Sequence, residues 1–183
     1  MTTVIALVGP SGVGKTTVAG HILARGELMS ERYREADHFQ LDNRTVLSKW
    51  NYIAEWFNRV LVARQRNIAL LIADRSPYDT GAYATGGHVL IRPLEQSFAE
   101  LDALGVAVRF AYLHAPENVL RSRIEARLAV EQWRKAYHEP ELLRQSIEFF
   151  ESHSKLWHVR IDATTDASEV AKSVEQFIQA QGL

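Results

Sequence analysis

The chain is predicted to fold as an α/β protein with a parallel sheet covered by helices on both faces. Short apolar runs rich in β-branched residues alternate with longer segments of helical spacing along the 183 residues. Strands separated by helices imply right-handed crossovers and hence a parallel sheet. Apolar residues make up 46% of the chain and charged residues 23%, which is typical of globular proteins and excludes a disordered chain. We therefore expect one domain over residues 1–183.

The expected elements follow in order from the amino terminus. Apolar runs predict strands at residues 4–8, 33–36, 68–73, 106–113 and 156–161. Apolar residues three and four apart predict helices at residues 15–25, 45–64, 93–104, 116–134, 139–154 and 166–181. Asn43 is expected to cap the second helix and Gly105 to end the third. Residues 76–92 are expected to form a loop with a short helix near the ligand.

Charge and composition narrow the classes of partner. The 21 basic and 22 acidic residues give a net charge of −1, so we expect no nucleic acid and no membrane as partner. The chain has no cysteine, which excludes disulfides, thiolate zinc sites and a cysteine nucleophile. The amino terminus lacks a basic signal region, and no apolar run approaches the roughly 20 residues of a membrane span. We expect a cytoplasmic protein, and a homodimer is compatible with these features.

Residues 9–16 carry the pattern that decides the chemistry. Their sequence, Gly-Pro-Ser-Gly-Val-Gly-Lys-Thr, matches G-x-x-x-x-G-K-[ST] and lies between the first strand and the first helix. Glycines in such a loop let backbone N–H groups close around phosphate oxygens. Lys15 is expected to reach the β and γ phosphates of ATP, and the Thr16 hydroxyl to bind Mg²⁺. The alternative is a glycine-rich turn that merely joins strand to helix.

This loop alone does not separate kinases, GTPases and motors. The chain has no Asn-Lys-x-Asp segment to recognise guanine, which weakens the GTPase interpretation. A motor needs more chain than a single small domain provides. The sequence therefore favours an ATP-dependent kinase for a small-molecule acceptor, with a non-kinase ATP-binding switch as an alternative.

Acidic residues at the ends of two predicted strands are candidate catalytic groups. Asp37 follows the second strand, at the sheet edge where α/β proteins bind ligands, and is expected to orient or deprotonate an acceptor hydroxyl. Asp74 ends a buried strand and is expected to bind Mg²⁺, while Arg75 would grip a phosphate or an acidic group. The alternatives are a solvated loop residue for Asp37 and strand termination by two solvated charges for the other pair.

The helix after the fourth strand carries several arginines. Arg123 and Arg127 share one face at a spacing of four residues and are expected to neutralise charge on the transferred phosphoryl group. Arg121 and Arg134 lie on the same helix, and an exposed helix laced with ion pairs is the alternative for all four. Two aromatic residues of the second helix, Tyr52 and Trp56, could stack a nucleobase or simply pack.

Four segments together resemble the thymidylate kinase and deoxynucleoside kinase superfamily. They are residues 9–17, the Ala-Asp-Arg-Ser-Pro segment 73–77, the stretch from Pro116 to Arg127, and Ile-Asp-Ala at 161–163. The resemblance implies a P-loop NTPase fold with five parallel strands in the order 2-3-1-4-5. It also implies an arginine-rich LID at about residues 121–137 that covers ATP.

The resemblance also assigns roles to single residues. It implies that Arg75 contacts the acceptor, that Arg123 and Arg127 contact the ATP phosphates, and that Ala163 and Thr164 contact the adenine. The residues implied to cradle the phosphates are Gly9, Ser11, Gly12, Val13, Gly14, Lys15, Thr16 and Thr17.

The acceptor is expected to be a nucleoside or a nucleoside monophosphate, with Arg44, Arg75 and Arg92 as a candidate phosphate site. An Asp after the second strand and the Pro10-Ser11 pair in the P-loop depart from the thymidylate kinase pattern. The Asp is equally reminiscent of small kinases that act on antibiotics or sugar acids. An antibiotic or another hydroxylated small molecule is therefore the alternative acceptor.

Overall fold

Five parallel strands form one sheet in this computed structural model, which describes residues 1–22, 26–31, 44–130 and 139–182. The strands are β1 (Thr2–Val8), β2 (Glu27–Met29), β3 (Leu70–Asp74), β4 (Val106–His114) and β5 (Val159–Asp162). Their spatial order is β2-β3-β1-β4-β5, and every pair is parallel. The predicted α/β class and strand order are confirmed.

The register of the central strands brings their carboxyl ends to one edge. Leu7 of β1 lies opposite Asp74 of β3 and Ala111 of β4. All seven residues of β1 are buried, because the strand is covered by helices on both faces. The loop that follows β1 therefore opens beside the ends of β3 and β4.

Helices pack on both faces of the sheet. They are α1 (Lys15–His21), α2 (Trp50–Gln65), α3 (Pro77–Ala82), α4 (Ile91–Ala103), α5 (Glu117–Val130), α6 (Pro140–Ser152) and α7 (Ala167–Ala180). Ile5 and Leu7 of β1 pack in a core with α1, α5 and α7. Val4, Ala6 and Val8 point to the opposite face and pack in a second core with α2, α3 and α4. Among the described helices, none combines the length and apolar character needed to cross a bilayer.

The second strand differs from the prediction. It lies at Glu27–Met29 and pairs with β3, whereas the predicted segment 33–36 falls outside the described residues. A strand of three residues at the sheet edge is too short to give a period-two pattern. Its position comes instead from pairing with β3, where Met29 lies opposite Ala73.

Two 3-10 turns shift other boundaries by a few residues. Residues 47–49 form such a turn, so α2 begins at Trp50, and Asn43 lies outside the described residues. Residues 154–156 form another, so β5 begins at Val159. The predicted stop at Gly105 is confirmed, because α4 ends just before this residue, whose φ is +77°.

The buried face of α2 includes both aromatic residues in question. Tyr52 and Trp56 are almost fully buried, and the Trp56 ring meets Phe57 and Phe98 edge-on. The packing interpretation of Trp56 is therefore confirmed, and its ring faces are not open to a ligand.

Candidate active site

The loop between β1 and α1 is built on glycines in left-handed backbone conformations. The φ angles are +147° at Gly9, +80° at Gly12 and +100° at Gly14. A Cβ at Gly9 would collide with the Leu113 carbonyl oxygen, and one at Gly12 would lie 2.9 Å from Cγ1 of Ile124. Only glycine fits at these two points, because the loop lies directly against β4 and α5.

Lys15 is a buried lysine that curls back over its own loop. Its ammonium donates hydrogen bonds to the carbonyl oxygens of Gly9 and Pro10, the latter at 3.1 Å. It also lies 3.6 Å from Oδ1 of Asp79. Burial lowers the pKa of Lys15 to about 8, and Arg75 acts in the same direction, while Asp79 opposes both.

The other P-loop residues vary in exposure. Thr16 and Thr17 are exposed on α1, Val13 is buried in the core, and Ser11 is half-buried. The predicted phosphate-binding residues thus form one continuous turn at the carboxyl edge of the sheet. Their contacts with ATP stay a prediction.

Asp74 and Arg75 lie beside this loop at the end of β3. Asp74 is 3% exposed, and its Oδ1 has no hydrogen-bond partner among the described residues. The Arg75 backbone is in the left-handed region with φ +84° and is held from two sides. Its N–H donates to the Leu7 carbonyl at 3.1 Å, and Trp56 Nε1 donates to its carbonyl oxygen at 3.1 Å.

The Arg75 guanidinium lies among acidic and phenolic groups. Burial works against its charge, but Tyr83, Asp79 and Glu31 outweigh this effect and raise its pKa. Its Nε has no hydrogen-bond partner within the part of the chain that the structure describes. The predicted grouping of Lys15, Asp74 and Arg75 is therefore observed at one edge of the sheet.

Asp79 is a site residue that the sequence reasoning missed. Its Oδ2 accepts hydrogen bonds from Ser76 N at 2.9 Å and from Ser76 Oγ at 3.2 Å. Together with the bond from Tyr78 N to Ser76 Oγ, these contacts form a capping box at the start of α3. The signal was present in the sequence, since Ser-Pro-Tyr-Asp at 76–79 has the Ser-x-x-Asp spacing with proline at the first helical position.

The donor atoms at this edge suit a magnesium ion. Mg²⁺ prefers hard oxygen ligands and usually keeps several waters. The unpartnered Oδ1 of Asp74 and the exposed hydroxyl of Thr16 are ligands of this kind. The residues present therefore fit the ion that the sequence predicts.

The arginines of α5 have different surroundings. Arg123 donates to three successive carbonyl oxygens, those of Ala163 at 2.7 Å and of Thr164 and Thr165 at 3.2 Å each. The structure thus brings Arg123 to the loop that the family resemblance implies contacts adenine, and phosphate contacts by Arg123 stay a prediction. Arg127 is exposed on the same helix.

The remaining candidate residues form ion pairs, are exposed or lie outside the described residues. Arg121 pairs with Glu117, as the ion-pair alternative expects. Arg44 pairs with Glu139 at 2.9 Å, and Arg92 is exposed at the start of α4. Asp37, Arg134 and the end of the predicted LID segment, residues 131–137, lie outside the described residues.

Comparison with known proteins gives matches over most of the chain. A family model described as "AAA domain" matches residues 5–144. Shikimate kinase 2 from Shigella dysenteriae is 30% identical over 181 residues, which cover 95% of this chain and 94% of that protein. Among solved structures, deoxyadenosine kinase from M. mycoides with bound dATP has a TM-score of 0.68 at 17% identity, covering 96% of this chain and 99% of its own. A gluconokinase from Sinorhizobium meliloti has a TM-score of 0.57 at 19% identity, covering 93% and 87%.

Proposed function

We propose, from the premise that this chain belongs to the AAA domain family and is an ATP-dependent P-loop kinase of small molecules, that it phosphorylates a hydroxyl group of a small hydroxylated acid. The observation that carries this proposal is the grouping of Lys15, Asp74 and Arg75 at the carboxyl edge of the sheet. The comparisons support this family but not the narrower group of thymidylate kinases that the sequence resembles.

The P-loop side of this edge would hold the nucleotide. Lys15 would leave its two carbonyl partners and bind the β and γ phosphates, with the loop amides around them. Thr16 and Asp74 would hold Mg²⁺, which would supply positive charge against the negative charge that develops during transfer. These groups position the phosphoryl donor.

The guanidinium of Arg75, at the end of β3, favours an anionic acceptor. A guanidinium binds a carboxylate with two parallel hydrogen bonds, and the unpartnered Nε of Arg75 is free to take part in such a pair. Two of the similar proteins are named for shikimate and gluconate, which are both hydroxylated carboxylic acids. A hydroxylated carboxylic acid is therefore the first candidate acceptor.

A nucleoside or a nucleoside monophosphate is the second candidate acceptor. The Asp-Arg-Ser segment at 74–76 supports it through its resemblance to deoxynucleoside kinases. The burial of Trp56 removes one of the two aromatic residues expected to stack a base. The ion pair between Arg44 and Glu139 also engages one arginine of the candidate phosphate site.

A coupled assay of ADP release with Mg-ATP separates these candidates. The acceptors are shikimate, gluconate, deoxyadenosine, thymidine monophosphate and a panel of hydroxylated antibiotics. We expect turnover on a hydroxylated acid well above the rate with water. Turnover only on nucleosides or only on antibiotics would discard this acceptor class and keep the kinase.

Variants of two lysines provide the controls. Lys15→Ala should abolish turnover, because the charge on the β and γ phosphates is lost. Lys172→Ala should behave as the wild type, since Lys172 is exposed on α7 and pairs with Glu169. ATP hydrolysis that responds only to a protein or a nucleic acid would instead indicate a switch.

A further inference from the structure

Asp79 is a buried carboxylate whose two oxygens have different surroundings. It is the third residue of α3 and is 2% exposed. The capping box uses only Oδ2, which accepts both bonds from Ser76. Oδ1 accepts no hydrogen bond from any described residue and lies 3.6 Å from the ammonium of Lys15. The helix end therefore leaves one buried oxygen directed at the P-loop lysine.

Lys15 fixes where this oxygen lies relative to the phosphates. An ammonium holds a phosphate oxygen at about 2.8 Å. Because the ammonium is 3.6 Å from Oδ1, a phosphate oxygen that it binds lies at most about 6.4 Å from Oδ1. A reacting hydroxyl needs about 3 Å to phosphorus and about 3 Å to a carboxylate. These distances are compatible with one acceptor hydroxyl between the terminal phosphate and Asp79.

Electrostatics supports the same placement. With Lys15 shared between Oδ1 and the phosphates, Oδ1 still has no hydrogen-bond donor among the described residues and stays buried, which is costly. A hydroxyl that donates to Oδ1 removes this cost. Burial also raises the pKa of Asp79, although Lys15 and Arg75 act against it, and a higher pKa makes the carboxylate a better proton acceptor.

We propose that Asp79, rather than Asp37 as the sequence predicts, is the catalytic residue that accepts the proton of the attacking hydroxyl, an inference that rests on the proposed kinase function. The acceptor oxygen forms a bond to the γ-phosphorus while the bond from that phosphorus to the β,γ-bridging oxygen breaks. ADP leaves with the electron pair, and the hydroxyl proton passes to Oδ1 of Asp79 and then to solvent. The products are the phosphorylated acceptor, ADP and one proton.

Asp74 is less suited to this step than Asp79. Its unpartnered oxygen is already proposed as a magnesium ligand. Of the two carboxylates, Asp79 has the stronger electrostatic effect on Lys15. Oδ1 of Asp79 also lies at ion-pair distance, 3.6 Å, from the ammonium of the lysine that marks the phosphate position.

The test variant is Asp79→Asn, which keeps an oxygen to accept the bond from Ser76 N but cannot take a proton. Phosphoryl transfer from Mg-ATP, measured in single turnovers to the best acceptor and to water alone, should fall about 10²- to 10⁴-fold. The Kd of Mg-ATP, measured by equilibrium binding, should stay within about threefold of the wild type, because the P-loop is unchanged.

The matched control is Asp166→Asn, since Asp166 caps α7 through its own Oδ1. It makes the same chemical change at a helix end and should leave phosphoryl transfer unchanged. If Asp79→Asn does not fold, Asp79→Ser, which keeps a hydroxyl at the helix end, takes its place.

Each outcome decides the proposal. Transfer by the Asp79 variant within about tenfold of the wild type overturns it, and so does a loss of transfer that merely follows a loss of ATP binding or of thermal stability. If the wild type transfers phosphate only to water, the proposed function fails, while the comparison of variants on water still decides the role of Asp79. If the wild type transfers phosphate to nothing, both proposals are overturned.

Discussion

Lys15 is held where burial opposes its charge, so the side chain best suited to phosphate binding also costs stability. Its ammonium has carbonyl partners from its own loop and a carboxylate at 3.6 Å, yet its pKa is still lowered to about 8. A group with a depressed pKa in the folded state binds fewer protons there than in the unfolded chain. Stability must therefore depend on pH through this one residue.

The expected pH dependence has a definite sign. Between pH 8 and 10.5 the unfolded chain keeps the Lys15 proton, whereas the folded protein loses it, so stability rises with pH. From pH 8 to 9.5 the wild type should gain roughly 2 kcal/mol of unfolding free energy relative to Lys15→Met. Urea unfolding of both proteins at several pH values measures this difference, and parallel curves would contradict it.

At this scale the sequence predicts residues that belong to a strict motif and misses those defined by local geometry. The P-loop glycines and Lys15 were recognisable because their spacing is restrictive. Asp79 was not singled out, because residues 76–92 were interpreted as a loop with a short helix whose start and capping residues were not assigned. The direction of its Oδ1 depends on how α3 packs against the P-loop, which spacing alone does not encode.

At the scale of elements, Arg123 ties α5 to the loop after β5. One guanidinium serves three successive carbonyl oxygens that would otherwise need water or other donors. The loop includes Ala163, whose N–H bonds to the His114 carbonyl of β4. The two elements should therefore loosen together when the arginine is removed.

We expect Arg123→Ala to lower the unfolding free energy by about 1 to 3 kcal/mol, since hydrogen bonds from a charged donor are lost. Amide exchange at residues 164–166 should also become faster. Arg121→Ala is the matched control, because Arg121 lies on the same helix in an exposed ion pair that is worth about 0.5 kcal/mol or less. Equal effects of the two substitutions on stability and exchange would refute the special role of Arg123.

The sequence predicted the longer elements well and the short ones poorly. Apolar periodicity located α4, α6 and α7, because each has a buried stripe. The same reasoning fails at the start of the predicted helix 45–64, where helical spacing predicts that Leu47 and Trp50 face the core but they are 65% and 43% exposed. The 3-10 turn at residues 47–49 has three residues per turn, which shifts the phase of the helix that follows.

At the scale of the molecule, nucleotide binding should be visible as a gain in stability. A ligand present at 100 times its Kd adds about 2.7 kcal/mol to the folded state. For a domain of this size, that corresponds to a rise in Tm of roughly 5 to 10 °C. Thermal unfolding with and without Mg-ATP measures the rise, and Lys15→Ala should show little of it. An equal rise in both proteins would place the nucleotide elsewhere.

Some predictions about the whole molecule follow from the order of elements in the sequence, and others depend on how distant residues meet in the fold. The sheet order is confirmed, because alternating strands and helices admit few parallel arrangements. The acceptor is not settled by the sequence, because the charges around Arg75 come from distant parts of the chain, such as Glu31. The homodimer stays a prediction.

The central place of β1 also governs how the protein folds during synthesis. Its Thr3 lies opposite Leu70 of β3 and Ala107 of β4, so β1 can complete both pairings only after β4 has been synthesised. Contacts between such distant residues form slowly, because long loops must close first. The P-loop lies directly after this strand, and its Gly9 and Gly12 pack on β4 and α5. We therefore expect a nascent chain that stops before β4 to have the complete phosphate-binding motif in its sequence without binding the nucleotide.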